Sequence, residues 1–99
     1  MMTVMVRYRV KPERVTENEE LVHAVYAELA EREPDGMTYA TFKLDDGVSF
    51  VHVFAGAGDA LPQVAAFRRF REGLAERCDE PPVRTEMTAV GTYRAAVPA

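Results

Sequence analysis

The first residues of the chain alternate between apolar and other side chains, and this period of two predicts a β-strand over 3–10. One side of that strand holds Val4, Val6, Tyr8 and Val10, and the other holds Met5, Arg7 and Arg9. Pro12 is expected to end the strand, because proline lacks the N–H that a strand ladder requires. A first helix is expected to begin at Thr16, which has Glu19 at the spacing of a capping box.

Apolar side chains then recur every three to four residues, which predicts an amphipathic helix that ends before Pro34. Its apolar face contains Leu21, Val22, Val25 and Leu29. Two further strands are predicted over 37–44 and 49–55, where Thr, Tyr, Phe and Val are frequent. The Asp-Asp-Gly sequence at 45–47 has the composition of a hairpin turn and is expected to join them.

A second helix is predicted after Asp59, its expected N-cap, with Pro62 near its first turn. The buried face of this helix is expected to contain Val64, Phe67, Phe70, Leu74 and Cys78. The prolines at 81–82 are expected to end the helix because they favour extended backbone before them. Alternation over 84–93 predicts a last strand.

The order strand, helix, strand, strand, helix, strand predicts an α+β fold of the ferredoxin-like βαββαβ type. In this topology a four-stranded antiparallel sheet carries both helices on one face, since right-handed crossovers place them there. The first strand then lies between the third and the fourth. A length of 99 residues leaves room for one hydrophobic core, so a single domain is expected over 1–99, with its core in about 3–94.

Strand parity divides the predicted sheet into a helix side and an open side. The helix side is expected to hold Val4, Val6, Tyr8, Val10, Ala40, Phe42, Val51 and Val53. The open side is expected to hold Met5, Arg7, Arg9, Tyr39, Thr41, Lys43, Phe50, His52, Phe54, Glu86, Thr88 and Val90. Three aromatic rings on an open face would form a large apolar patch. We therefore expect a second copy of the chain to cover this face in a two-fold homodimer.

The charge balance narrows the range of partners. Twelve Lys and Arg against sixteen Asp and Glu give a net charge of -4, which argues against binding to nucleic-acid phosphates. Cys78 is the only cysteine and fits a reducing compartment. Arg7 and Arg9 come too early for the apolar core of a signal peptide, and no apolar run is long enough to cross a membrane. A cytoplasmic protein that binds neither nucleic acid nor membrane is expected.

His52 is the first candidate for chemistry. Histidine ordinarily titrates near neutral pH, and this one lies in the middle of an aromatic strand. With Arg7 on the neighbouring strand it would act as a base or bind an anion. The alternative is a structural histidine that is satisfied by Glu86, Thr88 or a water at the dimer contact. His23 is predicted to be a surface residue.

Aromatic side chains between the sheet and the helices are candidates for a ligand pocket. They are Tyr8, Tyr26, Phe42, Phe67 and Phe70. Arg71, at the margin of the second helix's apolar face, would reach into such a pocket. The same aromatic residues would equally form a filled core, and Arg71 would then extend to water as long charged side chains do.

Neither a metal nor a cofactor is predicted. Two histidines and one cysteine offer no zinc-ligand spacing. The glycines at 56 and 58 lie between a strand and a helix, but Leu61 replaces the third glycine of a dinucleotide-binding motif.

The order of elements, the Val-x-Val-x-Tyr-x-Val-Lys-Pro sequence at 4–12 and the Phe-Val-His-Val-Phe strand at 50–54 resemble the antibiotic biosynthesis monooxygenase family of dimeric α+β barrels. The resemblance covers about residues 3–94. It implies a barrel formed by two chains and a pocket in each chain between sheet and helices.

The resemblance also implies an activity, since some members of this family oxidise aromatic quinols or anthrones with dioxygen and no cofactor. Such a reaction needs a base to form the substrate anion and polar groups to hold it. His52, Tyr8 and Arg7 are the candidates for these roles, although strand parity separates Tyr8 from the other two. The chain has no tryptophan, and its single asparagine is Asn18, so the Asn, Trp and His set of the haem-degrading branch cannot be assembled.

Three hypotheses follow for function. The first is a dimeric, cofactor-independent monooxygenase-like protein that acts on or binds a small aromatic molecule. The second is a non-catalytic dimeric ligand-binding or accessory module. The third is an interaction subunit in which Tyr8, Phe42, Phe67 and Phe70 pack without a cavity.

Overall fold

The computed structural model describes residues 2–94. Its strands are β1 (Met2–Val10), β2 (Met37–Lys43), β3 (Ser49–Gly56) and β4 (Cys78–Glu86), and its helices are α1 (Val15–Arg32), α2 (Ala65–Arg71) and α3 (Leu74–Arg77). Short 3₁₀ turns at Pro12–Arg14 and Leu61–Gln63 precede α1 and α2. No helix within 2–94 is both long and apolar enough to cross a membrane.

The four strands form one antiparallel sheet in the order β2-β3-β1-β4. This order confirms the predicted α+β ferredoxin-like fold, including the position of β1 between β3 and β4. The helices lie against one face, where the core combines side chains from the sheet with those of α1, α2 and α3. The buried core cluster contains Tyr8, Val10, Val22, Val25, Phe50, Val64, Ala66, Phe70 and Leu74.

The predicted faces of β2 and β3 are wrong, because both strands are turned over relative to β1. Residues directly opposite each other in an antiparallel pair lie on the same face. Val6 is opposite His52, and His52 is opposite Thr41, so all three point towards the helices. The other residues moved to the helix side are Tyr39, Lys43, Phe50 and Phe54, and those moved to the open side are Ala40, Phe42, Val51 and Val53. On β4, Glu86 is opposite Val4, so it also lies on the helix side and not on the predicted open side.

The reason for this error lies in the composition of β3, which is apolar on both faces. His52 is the only strongly polar residue within 50–55, so alternation gives no direction. A shift of one residue in a strand moves every side chain to the other face. Parity counting therefore predicted that these residues form a strand, but not which side chains face the helices.

The second helix is shorter and more broken than predicted. Gly73 has φ 82°, a left-handed conformation that separates α2 from α3. Asp59 does not cap α2. Glu28 of α1 does so from a distance, since its carboxylate accepts hydrogen bonds from the backbone N–H of Ala65 (3.2 Å) and Ala66 (2.9 Å). A cap that comes from another helix leaves no local sequence signal.

The last strand begins at Cys78 rather than at 84, and it ends at Glu86 rather than at 93. Prolines 81 and 82 fit within it because β4 is an edge strand, and its pairing with β1 shifts register in this region. The start of α1 also differs from the prediction. Thr16 makes no cap, and Arg14 pairs with Glu17 at 2.6 Å instead.

A candidate ligand cavity around His52

A cavity of about 470 Å³ lies between the sheet and the helices and opens to solvent. Strands β1, β3 and β4 provide its floor, and α2, α3 and the turn before α2 provide its roof. Its lining is mostly apolar and aromatic, as in small-molecule sites. The lining residues are Met2, Val4, Val6, Tyr8, Tyr39, His52, Phe54, Gly58, Leu61, Pro62, Phe67, Phe70, Arg71, Leu74, Ala75, Pro82 and Arg84.

His52 is the polar centre of the cavity floor, and only 6% of its surface is exposed. Its Nε2 lies 2.7 Å from the Tyr8 hydroxyl, and its Nδ1 lies 2.6 Å from the Tyr39 hydroxyl. Thr41 Oγ1 lies 3.3 Å from the same Nδ1. Both ring nitrogens are therefore engaged by hydroxyl groups from neighbouring strands.

The hydrogen bonds continue from Tyr8 towards α3. Asn18 Nδ2 donates to the Tyr8 hydroxyl at 3.0 Å, and Asn18 Oδ1 accepts from Arg77 Nε at 3.1 Å. Arg77 also donates to the carbonyl oxygen of Phe70 at 2.8 Å. A single network therefore joins His52 to a buried cation.

The donors and acceptors of this network fix the position of the proton on His52. Arginine only donates, so the oxygen of Asn18 must face Arg77 and its NH₂ group must face Tyr8. Tyr8 accepts that hydrogen bond, and Nε2 is the only acceptor for its own proton among the described residues, so Tyr8 donates to Nε2. Neutral imidazole has one N–H, which then lies on Nδ1 and donates towards Tyr39. The hydroxyl proton of Tyr39 is left available to an acceptor other than His52.

Burial keeps the groups at the cavity floor uncharged near neutral pH. Desolvation lowers the pKa of His52 from 6.5 to about 4, since the positively charged ring would lose its hydration. Desolvation also raises the pKa of the Tyr8 hydroxyl and that of the Tyr39 hydroxyl well above the usual 10. The floor is thus a polar but neutral surface.

Arg77 is buried, with 2% of its surface exposed, and no carboxylate forms a salt bridge with it among the described residues. Its guanidinium lies 5.3 Å from the centroid of the Phe70 ring. Burial lowers the pKa of Arg77, and its positive charge lowers that of Tyr8 against the stronger effect of desolvation.

The structure brings together several residues singled out from the sequence. His52 and Tyr8 are hydrogen-bonded, although strand parity had separated them. Phe67, Phe70 and Arg71 line the same cavity. Tyr26 lies behind this lining, where it stacks on Tyr39 with ring centroids 5.4 Å apart and its hydroxyl lies 2.8 Å from Thr41 Oγ1.

Two predicted site residues lie elsewhere. Arg7 is exposed on the open face, opposite Val51 and Val83, because its parity on β1 is opposite to that of Val6. Phe42 is 55% exposed on the same face. Glu86 and Thr88 were the expected partners of His52 in a structural role. In the structure, hydroxyl groups of β1 and β2 contact His52 instead.

Sequence reasoning missed four residues of the site, which are Asn18, Tyr39, Thr41 and Arg77. Tyr39 and Thr41 were missed through the reversed face of β2. Asn18 carried a usable signal, since a lone asparagine beside the apolar face of a helix often serves a buried hydrogen bond. Arg77 carried none, because an arginine at a helix end is typical of a solvated surface.

No protein-family model matches the sequence, and no curated protein matches it. Solved structures share its fold. The crystal structure of an antibiotic biosynthesis monooxygenase superposes with a TM-score of 0.72 at 20% identity, over 92% of this chain and 100% of that chain. SnoaB, a cofactor-independent oxygenase from Streptomyces nogalater, gives 0.67 at 18% identity, over 95% and 97% of the two chains. A protein of unknown function, NE2512 from Nitrosomonas europaea, gives 0.70 at 15% identity, over 96% and 94%. The predicted resemblance is therefore confirmed at the level of the fold.

Proposed function

We propose that the chain is a cofactor-independent monooxygenase-like protein that oxidises a small aromatic molecule of the quinol or anthrone type inside the His52 cavity. The observation that carries this proposal is the placement of a neutral, buried imidazole between two tyrosine hydroxyls at the floor of an aromatic cavity. The fold shared with a cofactor-independent oxygenase supports it, but fold alone assigns no activity.

The reaction is balanced without an added reductant, because the substrate supplies all four electrons that reduce O₂. An anthrone-type CH₂ group reacts with O₂ to give a C=O group and one molecule of water. The substrate first loses a proton to form an electron-rich anion that reacts with O₂. His52 is proposed as the base, with Tyr8 passing the proton on to Nε2. A substrate anion beside the ring would raise the low pKa of His52, because an opposite charge favours the imidazolium.

Tyr39 is proposed to hold the oxygen on which the negative charge of this anion develops. Its hydroxyl proton is not used by His52, and its ring is fixed by stacking on Tyr26. A donor that is already oriented stabilises a developing charge without reorganisation.

Oxygen uptake with anthrone and with 1,4-dihydroxynaphthalene tests this proposal. The wild type is expected to consume oxygen faster than the protein-free blank. His52→Ala is expected to reduce the protein-dependent rate by about a hundredfold or more, the usual contribution of a general base. Tyr39→Phe keeps the ring and is expected to reduce the rate while the fold, followed by circular dichroism, is retained.

The matched control is His23→Ala, which removes an exposed histidine of α1 and is expected to leave the rate unchanged. Uptake at the blank rate in wild type and His52→Ala alike would contradict the proposal.

A second candidate is a non-catalytic ligand-binding module. The hydrogen bonds to both nitrogens of His52 favour it, because a fully satisfied histidine is also what a structural role requires. This candidate predicts saturable binding of the same aromatic molecules, which are recovered unchanged. The third hypothesis, close packing without a cavity, does not fit the 470 Å³ space beside Tyr8, Phe67 and Phe70.

Cytoplasmic location stays a prediction from the sequence.

We also infer a homodimer through the open sheet face, with a revised set of residues. Two cross-strand rows on this face are mostly apolar, Phe42-Val51-Arg7-Val83 and Ala40-Val53-Met5-Thr85. Phe42 and Val83 are 55% and 61% exposed, and β4 is exposed along nearly its whole length. A second copy would bury the same rows of both chains.

Light scattering after size-exclusion chromatography tests this dimer. The wild type is expected at about twice the chain mass of 11.1 kDa, and Phe42→Glu is expected at the chain mass, because two buried carboxylates would face the interface. Ala27→Glu, on the exposed side of α1, is the control and should remain dimeric. A monomeric wild type, or a dimeric Phe42→Glu, would rule out this interface.

A further inference from the structure

Within residues 2–94, arginines are the only charged residues that line the cavity. Arg71 at the end of α2 and Arg84 on β4 contribute to the lining, and no carboxylate does so within residues 2–94. The whole chain has a net charge of -4, so this pair is not part of a generally basic surface. The cavity therefore combines a neutral polar floor with a local excess of positive charge.

Sheet register gives the distance between these two parts. His52, Val6 and Arg84 are consecutive in one cross-strand row on the helix side. Neighbouring strands lie about 4.8 Å apart, so the Cα atoms of His52 and Arg84 are separated by roughly 10 Å. The residue between them is the small Val6, which leaves room above the sheet for a flat molecule.

Arg71 lies over the same space from the roof. Its guanidinium is 5.8 Å from the centre of the Phe67 ring, and Phe67 meets the Tyr39 ring edge-on at 6.4 Å. One aromatic ring therefore separates the cation of Arg71 from the tyrosine that contacts His52. Arg71 and Arg84 thus line the same cavity, Arg71 from α2 in the roof and Arg84 from β4 in the sheet.

We propose that the ligand of this cavity is an aromatic acid, which places its hydroxyl or carbonyl oxygen at the Tyr39 hydroxyl and its carboxylate at Arg71 and Arg84. This inference rests on the proposed function and adds the charge and the orientation of its substrate. Arginine pairs with carboxylates through two parallel N–H donors, which fixes direction as well as affinity.

The existing partners of the two arginines leave them able to bind such a ligand. Arg84 lies 3.5 Å from Glu86, but both side chains are more than half exposed, and such pairs contribute little. Arg84 also contacts the sulfur of Met2 at 3.6 Å, a weak acceptor. Arg71 stacks over Phe67 and forms no salt bridge among the described residues.

Fluorescence titration with 6-hydroxy-2-naphthoate and its methyl ester tests this inference under argon. The two probes share the ring and the hydroxyl group, and only the acid carries a charge. The wild type is expected to bind the acid about tenfold more tightly than the ester. The double variant Arg71→Gln, Arg84→Gln is expected to bind both probes alike, with the affinity of the wild type for the ester. Tyr39→Phe is expected to weaken both probes.

The control is Arg69→Gln, which removes an exposed arginine of α2 that does not line the cavity and should keep the preference for the acid. Equal affinities for acid and ester in the wild type would overturn the inference and leave the proposed oxidation to be judged by oxygen uptake. A preference for the acid that survives in the double variant would also overturn it. Failure of both probes to bind would reject the aromatic cavity itself, and the inference with it.

Discussion

The folded protein is expected to lose about 3 kcal/mol of stability through His52 alone when the pH falls from 7.5 to 4. Burial lowers the pKa of His52 to about 4, whereas in the unfolded chain it is near the ordinary 6.5. Above pH 6.5 the ring is neutral in both states and contributes no pH dependence. Between pH 6.5 and 4 the unfolded chain binds a proton that the folded chain does not, so the unfolding free energy falls with pH.

Urea unfolding of wild type and His52→Gln, followed by far-ultraviolet circular dichroism, measures this effect. Carboxylates titrate in both proteins, so their contribution cancels when the two unfolding free energies are subtracted. The difference between the proteins is expected to shrink by about 3 kcal/mol from pH 7.5 to 4. His23→Gln, at an exposed position of α1, is the matched control. A constant difference for His52→Gln would mean that the buried ring is protonated as easily as an exposed one.

Replacing Arg77 by Met is expected to lower the unfolding free energy by about 3 kcal/mol. The substitution removes charge-assisted hydrogen bonds to Asn18 and to the Phe70 carbonyl, and it leaves both acceptors buried without a donor. Arg77→Lys is expected to recover little of this loss, since one ammonium group does not reproduce the planar fork that serves two acceptors.

Urea unfolding at pH 7.5 measures both variants, with Arg69→Met as the control at an exposed site of α2. The control is expected to change the unfolding free energy by less than about 0.5 kcal/mol. A variant as stable as the wild type would show that the network orients His52 at no gain in stability.

The sequence was sufficient for the fold because β1 and α1 leave periodic patterns, and because composition and turn residues mark β2 and β3. The alternation in β1 and the three-to-four spacing in α1 each define an element and its buried face. The second helix was predicted only in part. Its apolar spacing continues through Gly73, but the left-handed backbone of Gly73 separates α2 from α3. Its cap comes from Glu28, which is 37 residues away from Ala65 along the chain.

The site was harder to predict because it depends on register. The pair His52 and Tyr8 was found by residue type, but parity counting placed the two side chains on opposite faces of the sheet. The pairing of Val6 with His52 corrects this and removes Arg7 from the site in the same step. Arg77 illustrates a different limit, since nothing local distinguishes a buried arginine from a solvated one.

The hydrogen-bond network around His52 divides the cavity into a part that resists change and a part that tolerates it. Arg77, Asn18, Tyr8, His52 and Tyr39 come from α3, α1, β1, β3 and β2, so each polar contact also fastens one structural element to another. Substitutions in the apolar lining, at positions such as Val6 and Leu74, are therefore expected to change the shape of the cavity while they leave the contacts between these elements in place.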